Sequence, residues 1–104
     1  MSQPPQLSPE QRRAALEKAA VARQKRAEVK EQLKSGRLGL AELFEQGDAD
    51  EMVGKLKVVS MLESLPGVGK VRARRLMEEL EISESRRLRG LGENQRQRLL
   101  ARFA

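Results

Sequence analysis

The chain has 104 residues with a formal net charge of +6, 35% charged residues and two phenylalanines as its only aromatics. It can therefore bury only a thin aliphatic core in one small domain. It contains no Cys and no His, which removes disulfides, thiolate metal sites, the commonest metal ligand and the usual general base, and so argues against a metalloenzyme. No apolar run approaches the roughly 20 residues that span a bilayer, and Met1 to Pro9 lack a hydrophobic signal core, so a cytoplasmic protein without membrane contact is expected.

Residues 1–7 read as a disordered tail. Ser8 then supplies an N-cap, Pro9 the first helical position and Gln11 the far side of a capping box. The helix runs to about Lys34, where Ser35-Gly36 stops it. Its large apolar residues are few: Leu16, Val21, Val29 and Leu33. Val29 and Leu33 are expected to dock on the domain, leaving Ser8 to Lys25 to project or pack loosely as a basic arm, residues 8–38, with Arg12, Arg13, Arg23 and Arg26 as candidate nucleic-acid contacts. Charge is layered along the chain: net +5 over residues 1–38, −4 over 39–64 and +5 over 65–104. That layout suits a polyanionic partner.

The domain proper, residues 39–104, opens with a short helix, Leu40 to Gln46, facing Leu40, Leu43 and Phe44 inward and stopped by Gly47. Asp48 to Glu51 cap a further turn, and Val58 to Ser64 form the next helix. After Leu65-Pro66-Gly67-Val68-Gly69, a helix starts near Lys70 with Ala73, Leu76, Met77 and Leu80 on one face. Ser83 is a candidate N-cap with Arg86 in its first turn, and Glu93 to Phe103 close the chain. Apolar residues never alternate as a strand requires. The fold class is all-α.

Leu65 to Lys70 carries the chemistry. Pro66 ends one helix, and Gly67 and Gly69 leave the backbone unobstructed where the next begins. That helix start presents unpaired N–H groups, with Lys70 and Arg72 close by, as a site for an anion. The nucleotide-triphosphatase loop does not fit, because Ser64 stands at its first Gly and Val71 at its hydroxyl; the dinucleotide loop fails at Arg72. A helix-hairpin-helix pattern fits instead, with an apolar residue, one position, Gly, an apolar residue, Gly, and Ala four residues on. Shifted by 23 residues, Leu65, Gly67, Gly69, Arg75 and Leu76 fall on Leu88, Gly90, Gly92, Arg98 and Leu99, so the unit repeats at 88–93. In the second copy Glu93 replaces Lys70, and the positive charge precedes the turn as Arg86, Arg87 and Arg89.

Leu62 to Ala73, Ile82 to Gly92, Gly54 to Val58 and the long Ala/Arg helix together resemble the actinobacterial integration host factor family. The resemblance implies a helix-two-turns-helix domain, similar to those of a small-subunit ribosomal protein and of some DNA repair glycosylases. It also implies a nucleoid-associated protein without enzymatic activity or cofactor, which binds double-stranded DNA with little sequence preference, alters its topology and assists a phage integrase. Carried onto this chain, the phosphate clamp falls at Gly67, Val68, Gly69 and Lys70, with a second contact at Arg86, Arg87 and Arg89. The chain is expected to act as a monomer. At Glu81 the chain departs from the Gly that would make a cleaner helix stop. The residues themselves leave open an RNA-binding or ribosome-associated role, a lyase or glycosylase, and a protein-interaction module.

Overall fold

The computed structural model describes residues 7–103, so most of the expected tail lies outside the described residues. Six α-helices follow in order: α1 (Pro9–Lys34), α2 (Leu40–Ala49), α3 (Glu51–Gly54), α4 (Val58–Ser64), α5 (Lys70–Glu79) and α6 (Glu93–Arg102), with a 3-10 turn, Leu88–Gly90, between the last two. No strand occurs among the described residues. An isolated antiparallel bridge pairs Lys57 with Arg87.

Helix α1 begins as its cap residues dictate: the Ser8 hydroxyl accepts from the Gln11 N–H at 3.1 Å and the Gln11 side chain accepts from the Ser8 N–H at 2.9 Å. It ends at Gly36, whose φ of +78° belongs to the left-handed region. Only Val29 and Leu33 of α1 are buried. These two residues, one turn apart, seat the C-terminal part of the helix against α3 and α4. Leu16 and Val21 are exposed.

The core gathers Leu40, Leu43 and Phe44 of α2, Val53 and Leu56 around α3, Val58, Met61 and Leu62 of α4, and Ala73, Leu76 and Met77 of α5; Leu88 and Leu99 close it. The inward face expected for α5 is therefore the observed one. The 23-residue repeat is structural as well. Val68 N–H donates to the Leu65 carbonyl as Leu91 N–H does to Leu88, and Ala73 N–H donates to Gly69 as Arg96 N–H does to Gly92.

Two sequence expectations are corrected. Gly47 does not stop α2, which continues through it to Ala49. A Cβ on Gly47 would stand 2.7 Å from Leu88 Cδ2, and one on Gly54 would stand 2.7 Å from the Gly47 carbonyl oxygen. These glycines let α2, α3 and the 3-10 turn approach closely, a packing role that overrides the usual reading of glycine as a terminator. Ser83 caps no helix. It opens a turn, accepting from the Ser85 N–H at 3.3 Å while Arg86 N–H donates to its carbonyl. The chain instead stays extended at Arg87, which Val58 N–H to Arg86 O and Leu88 N–H to Leu56 O knit to the residues preceding α4.

Candidate nucleic-acid interface

Residues 65–70 form the turn between α4 and α5. Gly67 sits at φ +76°, a conformation costly to any residue with a Cβ. Gly69 does not share it: as N-cap of α5 it has φ −90° and ψ −179°, and a Cβ built on it would meet nothing within 4 Å. The fold therefore has no need of glycine at 69. The missing side chain leaves space outside the protein surface.

From Gly67 to Arg72, only the N–H of Val68 has a partner, the Leu65 carbonyl at 3.1 Å. The N–H groups of Gly67, Gly69, Lys70, Val71 and Arg72 are open, at the positive end of the α5 dipole. The second hairpin is different. Gly90 N–H donates to the Arg87 carbonyl, Leu91 N–H to Leu88, and Gly92 N–H to the Gln95 side chain at 3.1 Å. Glu93 then begins α6 where Lys70 begins α5. The first hairpin keeps both glycine N–H groups open beside a cation; the second has used both of its glycine donors, and the helix start behind it opens with an anion.

The first hairpin forms one wall of an open groove of about 610 Å³, whose other lining residues include Lys30 and Lys34 of α1 and Ser60, Glu63 and Ser64 of α4. Seating Val29 and Leu33 thus brings the intervening and following lysines to the hairpin. Lys30 and Lys34 lie one turn from each other, and each directly follows a docked residue, so both fall on the flank beside the buried pair. Val68 turns its side chain into the core, and Arg72 folds back so that Nη1 stands 3.5 Å from the Gly67 carbonyl.

The second candidate contact is less free than its charge suggests. Arg86 Nη1 donates to the Gly90 carbonyl at 2.8 Å and Arg87 Nη1 to the Lys55 carbonyl at 2.7 Å. Two of the three arginines therefore brace the turn. Arg89 Nη1 lies 3.7 Å from Glu51, which Lys55 also approaches at 3.3 Å. The hydrogen bond and charge of Lys55, followed by the charge of Arg89, hold the Glu51 carboxyl below the usual range.

On α1, Arg12, Arg13 and Arg23 are exposed and Arg26 is half-buried in a groove shared with Lys18, Ala22 and Met52. At about 100° per residue, Arg12, Arg23, Lys30 and Lys34 fall within an arc of about 40° beside the docked face, whereas Arg13 lies on the flank that carries Glu10, Glu17, Glu28 and Glu31. No α1 residue takes part in an ion pair among the described residues.

Residues 33–103 match the family model for the S13-like H2TH domain. An integration host factor of Streptomyces coelicolor is 63% identical over 91 residues, which cover 88% of this chain and 85% of that one. The integration host factor of Mycobacterium tuberculosis is 56% identical over 99 residues, 95% of this chain and 94% of the other. A solved structure described as sIHF bound to an 8-bp palindromic DNA superposes with a TM-score of 0.83 at 57% identity, covering 85% of this chain and 99% of that chain. The chain belongs to the actinobacterial integration host factor family, built on an S13-like H2TH domain.

Proposed function

We propose that this protein binds duplex DNA through the phosphate backbone, the open amides of Gly67, Gly69 and Lys70 holding one phosphate while Lys30, Lys34 and Lys70 neutralise it and its neighbours. The observation that carries this reading is the contrast between the two hairpins: the two glycine N–H groups are open and the groove lysine-lined in the first copy, whereas Gly90 and Gly92 of the second have internal partners and Glu93 stands in place of Lys70. The likeness to a protein solved with DNA supports the choice of polyanion.

Sequence preference is low, because the exposed donors are chiefly backbone amides, lysines and arginines suited to phosphate, and the two glutamines of α6 serve the helix itself: Gln95 caps it and Gln97 donates to Glu93. Arg89, with the free donors of Arg86 and Arg87, makes a second backbone or minor-groove contact. Two such contacts on one rigid body bend or stiffen the duplex and so change its topology. We extend the reading to a nucleoid-associated, non-enzymatic monomer that prepares DNA for a site-specific recombinase such as a phage integrase.

The test is competition between matched DNA and RNA duplexes, with affinity followed against salt. Preference for DNA and a linear fall in log affinity with log salt, about 0.9 for each phosphate contacted, are expected. Preference for the RNA duplex, whose 2′-hydroxyls and A-form grooves present a different surface, would overturn the assignment in favour of an RNA-binding role.

A further inference from the structure

We propose that α1 is a ruler for one turn of the duplex held by the first hairpin, its Arg12, Arg23 and Lys34 meeting three successive backbone crossings on one face of the DNA. This rests on the reading of the hairpin as a phosphate clamp and adds to it the length and register of the bound duplex.

Arg12, Arg23 and Lys34 recur every eleven residues. Eleven residues are close to three α-helical turns, so the three side chains stack on one flank instead of winding around the helix, with successive positions about 16.5 Å apart. From Lys34 to Arg12 the distance along the axis is about 33 Å. One turn of B-form DNA advances about 34 Å, and on one face of a duplex the opposite strand crosses between two successive passages of the first. A rod with positive charges at its two ends and its middle therefore matches strand, opposite strand and first strand again when it lies along the duplex axis.

Three further features fit. The lower end of the flank is not free to wander, because Lys30 and Lys34 line the hairpin groove and Val29 and Leu33 are buried beneath them. The acids of α1 are segregated from the flank: Glu10, Glu17, Glu28 and Glu31 all fall roughly 60° to 160° around the helix from its cations. The cations are also uncommitted, since no α1 residue forms an ion pair among the described residues. A helix whose charge served only solubility has no reason to keep one flank acid-free along its length.

The experiment compares an 8-bp with a 20-bp DNA duplex, using Arg12→Gln, Arg23→Gln and, as a control off the flank, Arg13→Gln. These positions are exposed and Gln is a good helix former, so the fold is retained, and a thermal melt checks it. An 8-bp duplex is about 27 Å long and cannot reach from Lys34 to Arg12. On 20 bp, Arg12→Gln and Arg23→Gln should each weaken binding on the order of threefold to tenfold and lower the salt slope by about 0.9, with Arg13→Gln like the parent. On 8 bp, Arg12→Gln should bind like the parent. Equal effects of Arg12→Gln and Arg13→Gln on 20 bp, or an Arg12→Gln loss as large on 8 bp as on 20 bp, would overturn the ruler. Gly69→Asp, measured alongside, separates the two readings: it should weaken binding at both lengths, and its failure to do so would count against the clamp itself.

Discussion

Arg96 of α6 lies across Asp48 of α2, with Nη1 and Nη2 donating to the two carboxylate oxygens at 2.8 and 2.7 Å, while its guanidinium stands 5.3 Å from the centre of the Phe44 ring. The Arg96 side chain is only 16% exposed. This forked contact ties the last helix of the domain to the first, at the position where the repeat places Ala73 in the other hairpin. It secures the second hairpin, whose following helix is otherwise held by Leu99, Leu100 and an ion pair from Arg102 to Glu79.

Removing the pair should loosen α6. Arg96→Ala loses the ion pair and the ring contact and should lower the thermal midpoint more than Arg96→Met, which keeps the stem over Phe44 and forgoes the ring attraction of about 0.5 to 1 kcal/mol. The hydrogen bond from Arg96 is the main cause that holds the Asp48 carboxyl below its ordinary range. A depressed carboxylate contributes stability above its unfolded pKa of about 3.9 and loses it as pH falls through the folded value. Asp48→Asn should therefore melt below the parent near neutrality and approach it under acid conditions. A gap that persists at the acid end would assign the effect to something other than this charge.

Glu81 is the one non-glycine residue at positive φ among the described residues, at +56°, just after α5. A side chain there costs about 1 to 2 kcal/mol. Glu81→Gly should raise the thermal midpoint by several degrees while leaving duplex affinity unchanged, because the side chain is exposed and makes no hydrogen bond or ion pair with either hairpin. An unchanged midpoint would show that the strain is relieved elsewhere.

The three arginines before the second hairpin should separate by what they touch. Arg87→Ala removes the donor to Lys55 O beside the Lys57–Arg87 bridge and should lower stability by about 0.5 to 1.5 kcal/mol, the net contribution of one hydrogen bond. Arg89→Ala breaks only an exposed contact to Glu51 and should leave the midpoint within about 0.5 kcal/mol of the parent while weakening DNA binding. Denaturant melts beside salt titrations distinguish the two. Equal melts for both variants would contradict the division of labour.

Local chemistry made the helix starts readable. Ser8, Pro9 and Gln11 announce α1 without help from the rest of the chain, as does the glycine pattern at 67 and 69, and the spacing of Ala73, Leu76 and Met77 shows which face of α5 is buried. What the sequence hides is whatever depends on neighbours distant along it. Gly47 reads as a stop until Leu88 and Gly54 are seen against it. Asp48 reads as a cap residue until Arg96 reaches it from α6. The two hairpins share a pattern, and only the hydrogen bonds from Gly90 and Gly92 show that one copy has used the donors the other keeps open. Lys34 joins the site because Leu33 is buried, a tertiary consequence that no motif records.

The open amides of the first hairpin are tested most directly at Gly69, by measuring duplex affinity and thermal midpoint of Gly69→Asp together. The backbone at 69 is ordinary for any residue, the added side chain meets nothing in the protein, and Asp is a better N-cap than Gly. The fold should therefore melt at or above the parent's midpoint. Binding should fall at least about tenfold, because the carboxylate occupies and repels the place of the phosphate, at a site where a charge-assisted contact is worth about 1.5 to 3 kcal/mol. Higher stability with lost affinity is the predicted result; a folded Gly69→Asp protein that binds duplex DNA as tightly as the parent would contradict the account.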